Sequence, residues 1–177
     1  REGDVFSLIG PKRYDAPWKD IEAQGWIAPA DCVEVRVTLT DEERLQYAVA
    51  ENDSKYKLCS TAHTKVNVVK AILAQHPGSQ TLIIGAYIDQ LEELGHELDA
   101  PVVQGATRNK EREILFDRFR SGEISTLVVS KVANFSIDLP EASVAVQVSG
   151  TFGSRQEEAQ RLGRVLRPKC DGRTAHF

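Results

Sequence analysis

The sequence contains no methionine, only three cysteines and four histidines, and no apolar run approaching 18 residues. Each shortage closes off a class of function. Cys32, Cys59 and Cys170 are odd in number and far apart, without the paired spacing of a disulfide framework, zinc site or redox motif. His63, His76, His96 and His176 fall in different segments and make no ligand pair at helical spacing, so no bound metal is expected. With no long apolar run and no signal-peptide pattern in "REGDVFSLIG", no membrane partner and a cytoplasmic location are expected. The phosphate loop G-x-x-x-x-G-K-[ST] is missing, and no dinucleotide fingerprint follows the first strand candidate, so a self-sufficient nucleotide hydrolase is not expected either. The lack of methionine has no account in composition alone.

What remains is a chain of 177 residues, 41% hydrophobic, long enough for one sizeable core. It starts with Arg1 and stops at "RTAHF", where an alternating, strand-like segment has just begun; a piece of a longer polypeptide is expected. Its charge is uneven. Residues 151–177 carry six Lys/Arg against three Asp/Glu, whereas residues 1–150 carry 16 against 23. A uniformly basic nucleic-acid binder is excluded, and an anionic partner belongs near the C-terminal segment or at backbone amides.

Residues 1–30, with Gly10, Pro11, Pro17, Gly25 and Pro29, read as a leader packing on the domain's edge through Trp18 and Trp26, with a short helix at 18–24. Residues 31–177 read as the domain itself. "CVEVRVTL" alternates at period two, the pattern of a strand with one exposed face. Thr40 with Glu43 forms a capping box that starts a helix running to about residue 50. "ENDSKYK" is polar and reads as a loop. Val66, Val69, Ile72 and Leu73 make a helical stripe ending at Pro77-Gly78. Thereafter strand candidates "TLIIG", "PVVQG", "STLVVS", "ASVAVQVS" and "TAHF" alternate with helices at 87–98, at 109–120 with Ile114, Leu115 and Phe119 inward, and near 156–167. That alternation predicts β-α-β crossovers, an α/β fold with a mostly parallel sheet.

Parallel sheets bind ligands beyond the carboxyl ends of their strands. There the sequence offers "GAYID", "GATRNK", "SKVANFSIDLP" and "SGTFGSRQEEAQR", whose Gly, Ser and Thr residues let a phosphate approach backbone N–H groups beside helix N-termini. On the last helix candidate, Gln160, Gly163, Arg164 and Arg167 share one face at 100° per residue, while Ala159, Leu162 and Leu166 share the other. Gly163 costs about 1 kcal/mol relative to Ala inside a helix, so a close approach at that point is the expected reason for it.

These stretches resemble superfamily 2 helicases. "QRLGRVLR" is similar to motif VI (Q-x-x-G-R-x-x-R), "SKVANFSIDLP" to motif V, and "TLIIGAY" with "QGATRNKERE" to motifs IV and IVa. More narrowly, "LIGPKRYDAPWKDIEAQGWIA" and residues 130–169 resemble the xeroderma pigmentosum group B (XPB) helicases of bacterial and archaeal type; Ser136, where most superfamily 2 proteins carry Gly, fits that narrower group. The resemblance implies a RecA-like three-layer α/β/α domain, the second of two in a 3′ to 5′ DNA helicase for nucleotide excision repair. It implies ATP, with Mg2+ held mainly by the first RecA-like domain, Arg164 and Arg167 as arginine fingers, and Gln160, Gly163 and Asp138 at the nucleotide. It places DNA, as a single strand or fork, against Gly85, Ala86, Tyr87, Gly105, Thr107, Ser130 and Lys131. The first RecA-like domain and a repair nuclease are the implied protein partners. A duplex translocase that does not unwind, and a non-catalytic Rossmann-like module whose arginines bind an acidic protein, are the alternatives.

Overall fold

The computed structural model describes residues 17–26, 29–130, 142–150 and 174–177. In chain order the elements are α1 (Trp18–Ala23), β1 (Ala30–Asp31), α2 (Asp41–Val49), α3 (Asn52–Ser60), α4 (Thr64–Gln75), β2 (Thr81–Gly85), α5 (Ile88–Glu97), β3 (Val102–Val103), α6 (Asn109–Arg120), β4 (Thr126–Ser130), β5 (Val144–Gln147) and β6 (Ala175–His176). The strands form one sheet in the order β1-β6-β5-β2-β4-β3, and every pairing is parallel.

Period-two alternation in the central strands sorts their side chains into two cores. Leu82, Ile84, Leu127, Val129 and Ala145 pack with Phe116 and Phe119 of α6 on one face. Ile83, Val128 and Val148 pack with Val66 and Val69 of α4 and Leu91 and Leu94 of α5 on the other. The result is the expected three-layer α/β/α domain. All five residues of β2 are buried, as a near-continuous apolar strand between two helical layers requires. Burying each such aliphatic side chain contributes about 1.5–3 kcal/mol.

Several local readings hold. Glu43 N–H donates to Thr40 Oγ1 at 3.2 Å and Thr40 N–H to Glu43 Oε2 at 2.8 Å, completing the capping box of α2. α4 stops at the turn where Gly78 takes φ +74.

Four details differ. Among the described residues, 32–39 join no ladder beyond a bond from Val33 N–H to Phe177 O; Val33 and Val35 are 63% and 50% exposed, and β6 pairs with β1 over two residues. An alternating pattern makes a strand only where a neighbour supplies partners. "ENDSKYK" has Glu51 as the N-cap of α3 and the rest inside that helix, since it has neither Gly nor Pro to break one. On α6 Phe116, rather than Ile114, faces the core: Ile114 is 51% exposed, while Phe116 and Phe119 lie on one side of the helix. Trp26 is 71% exposed, so it is not the anchor expected of it.

Candidate functional site

The carboxyl ends of β2, β4 and β5 lie side by side, with Gly85 in register with Ser130 and Ile84 with Gln147. This edge gathers Gly85, Ala86, Tyr87 and Ser130, with Val148, Ser149 and Gly150 next to them. Lys131, Asp138, Gln160, Gly163, Arg164 and Arg167 lie outside the described residues, as does the helix read near 156–167.

Two helices start from this edge without a side-chain cap: α5 after Tyr87 and α6 after Arg108. Their first N–H groups lack intrahelical acceptors, which is the electrostatic condition for holding phosphate. The residues before them are occupied differently. Gly85 is buried, and a Cβ there would lie 2.8 Å from Leu91 Cδ2 and 3.0 Å from Ser149 Oγ, so close packing accounts for this glycine. Ala86 N–H donates to Ser149 Oγ at 2.9 Å and is not free for a ligand. Tyr87 carries the Lys57 ammonium 5.9 Å from its ring centroid, so one face is covered by a cation.

The 104–107 turn is closed by its own bonds. Gln104 N–H donates to Thr107 Oγ1 at 3.0 Å, Thr107 N–H donates to Gln104 O at 3.0 Å, and Arg112 Nη2 donates to both Gln104 O and Thr107 O. With its carbonyls drawn toward Arg112, the turn leaves Gly105 and Ala106 exposed at its tip.

Sequence reading missed the polar groups beneath this edge. Lys65, half-buried at the start of α4, donates to Ser60 O at 2.8 Å and Val148 O at 2.7 Å. Burial pushes its pKa below the ordinary lysine value, with Cys59 acting in the opposite direction. Gln90, 4% exposed on α5, donates from Nε2 to Ser60 O and accepts at Oε1 from Ser149 Oγ, both at 2.8 Å. Tyr56 OH donates to Gly150 O at 2.9 Å. One signal was available: Gln90 falls on the apolar stripe of Leu91 and Leu94, where a polar side chain needs a buried partner. A cavity of about 500 Å³ between Gly95, Asp99, Pro101, Arg118, Glu123 and Thr126 lies at the opposite, amino edge of β3 and β4 and takes no part.

Among the described residues no group of three or more His, Cys, Asp or Glu is placed to hold a metal ion, and no helix is long and apolar enough to cross a membrane. The description "ERCC3/RAD25/XPB C-terminal helicase" matches residues 21–177. The chain belongs to that family. It is 78% identical over 177 residues to the DNA 3'-5' helicase XPB of Mycobacterium tuberculosis and 75% identical to that of Kineococcus radiotolerans. The match covers all of this chain and 32% of each relative, so the chain spans about a third of the length of the curated relatives it matches. Among solved structures, the DEAD-box protein SrmB of E. coli is similar with a TM-score of 0.55 at 21% identity, covering 63% of this chain and 66% of that one. That likeness is one of fold, and it agrees with the RecA-like layers seen in this XPB-family domain.

Proposed function

We propose that this chain is the second RecA-like domain, with residues 1–30 as its leader, of a longer ATP-dependent 3′ to 5′ DNA helicase acting in nucleotide excision repair. The observation that carries the reading is the 78% identity to a relative named as a DNA 3'-5' helicase. The parallel edge with two uncapped helix N-termini is consistent with it. The sequence has no phosphate loop, so this domain fits a nucleotide only as the second wall of a cleft, the first wall and Mg2+ coming from the other RecA-like domain.

Within that cleft Arg164 and Arg167 supply fixed positive charge to the phosphoryl oxygens, a role worth about 10³–10⁵ in rate. Guanidinium suits it because it stays charged and forks onto two oxygens. Gln160, Gly163 and Asp138 line the nucleotide side. The DNA strand crosses the strand ends, where Gly105 and Thr107, Tyr87, Ser130 and Lys131 meet it; Gly85 and Ala86 shape the turn. The site of action is the cytoplasm, on the bacterial or archaeal nucleoid, with a repair nuclease as partner.

The test is Arg167→Ala in the full-length protein. DNA-stimulated ATP hydrolysis should fall by about 10³-fold or more, with ATP binding kept within a few-fold. Unchanged turnover would refute the reading and favour a module that uses its arginines to bind a protein. A strand-displacement assay beside a triplex-displacement assay then separates unwinding from duplex translocation.

A further inference from the structure

Three consecutive residues leaving β5 are each held by a different element. Lys65 of α4 bonds Val148 O, Gln90 of α5 bonds Ser149 Oγ, and Tyr56 of α3 bonds Gly150 O. The middle bond is also the one that reaches the candidate nucleic-acid turn, because the same Ser149 Oγ accepts from Ala86 N–H. A continuous chain therefore runs from Ala86 through Ser149 and Gln90 to Ser60 O, and Lys65 donates to that last carbonyl as well.

Burial gives the chain little slack. Ser60, Gln90 and Ser149 are 7%, 4% and 5% exposed. A displaced bond at that depth has no solvent to replace it, so a shift at one end is followed at the other or leaves a buried polar group unpaired. The turn itself is tightly packed, since even a methyl group at Gly85 would collide with Leu91 and Ser149. Gln90 suits a relay because its planar amide ties its acceptor and donor into one rigid unit. A leucine would fill the same place on the α5 stripe, but it would leave the buried Ser149 hydroxyl without its acceptor, so the amide both satisfies that hydroxyl and joins it to Ser60 O. Ten residues beyond Gly150 the sequence reaches Gln160, followed by Arg164 and Arg167.

We propose that Gln90 and Ser149 form a positioning pair that couples nucleic acid seated on the 85–87 turn to the placement of the chain leaving β5, and through it to nucleotide turnover. The inference rests on the function proposed above. Gln90 and Ser149 touch neither nucleotide nor DNA in this scheme; they act through Ala86 on one side and Gly150 on the other.

The experiment measures ATP hydrolysis by the full-length protein with and without single-stranded DNA for Gln90→Leu, Ser149→Ala and the double variant, together with DNA affinity and KM for ATP. Each single variant should lower the stimulation ratio by about tenfold, with DNA affinity and KM kept within about threefold. The double variant should be no worse than either single, because both remove one shared bond. Tyr56→Phe, at an exposed hydroxyl, guards against a folding defect and should lower the ratio by about threefold. An unchanged ratio in Ser149→Ala and Tyr56→Phe overturns the proposal, as does a loss that only tracks weaker DNA binding. Arg167→Ala, run alongside, reports on the parent reading separately: if it leaves turnover intact the function fails, whereas its loss with unaltered stimulation in the Gln90 and Ser149 variants sinks the coupling alone.

Discussion

Replacing Lys65 by methionine keeps the length and most of the volume of the side chain while removing its ammonium, and two effects then oppose each other. Wild-type Lys65 is half-buried, and that burial disfavours its charged form. The variant is relieved of this cost. Against it stand two charge-assisted bonds, to Ser60 O and Val148 O. Ser60 O keeps Gln90 Nε2, so the variant orphans one carbonyl rather than two. Val148 is only 6% exposed, and a buried acceptor left unpaired costs about 1–3 kcal/mol. With relief of desolvation taking back part of this, Lys65→Met should lose about 1–2 kcal/mol, read as a Tm lower by about 2–8 °C for a chain of this size.

The pH dependence has a definite sign. The folded-state pKa of Lys65 is depressed, so in the alkaline window between it and the ordinary lysine value near ~10.4 the unfolded chain binds more protons than the folded one. Stability contributed at this site therefore rises with pH through that window and levels off above it. Urea unfolding of wild type and Lys65→Met at pH 7 and through the alkaline range should show the gap between them widening. A variant as stable as wild type at pH 7, or a gap that narrows on the alkaline side, would overturn this role for Lys65.

Two further outcomes follow from the packing and the caps. A Cβ on Gly95 would collide with Val102 Cγ2 and lie 3.0 Å from Ala100 O, so Gly95→Ala should destabilise by about 1–3 kcal/mol despite the better helix propensity of alanine, as a lowered urea midpoint shows. Glu43 is held below the ordinary glutamate pKa, chiefly by the Thr40 N–H and also by the His63 N–H that it accepts at 2.9 Å. Its contribution is present above about pH 4.3 and is lost as pH falls through the lower folded value, so Glu43→Gln should be less stable than wild type at pH 7, with the gap between their urea midpoints narrowing as the pH is taken below the ordinary glutamate value.

The elements that could be read from sequence are those whose evidence is local. "TLIIG" and "STLVVS" are apolar on both faces, and the stripe of Val66 and Val69 and the Thr40–Glu43 box each specify their own element, so β2, β4, α4 and the start of α2 stand where they were expected. Residues 32–39 and 51–57 were misread because distant groups decide them. Alternation in "CVEVRVTL" is a β pattern that finds no partner strand among the described residues, and polarity in "ENDSKYK" marks a helix tied down by Tyr56 to Gly150 rather than a loop.

The strand ends show the same division at finer scale. Gly85 and Gly105 look alike in sequence, each a glycine closing a strand, yet one is buried against Leu91 and Ser149 and the other is exposed at the tip of a turn braced by Arg112. Only the second leaves its backbone open to a phosphate. What separates them is the following helix: α5 sets Leu91 against Gly85 and ties Gln90 to Ser149 and Ser60 O, whereas α6 sends Arg112 back to the carbonyls of Gln104 and Thr107. The two helices thus use their early polar side chains differently: Gln90, three positions after the N-cap of α5, ties Ser149 to Ser60 O, while Arg112, four positions after the N-cap of α6, holds the carbonyls of its own entry turn.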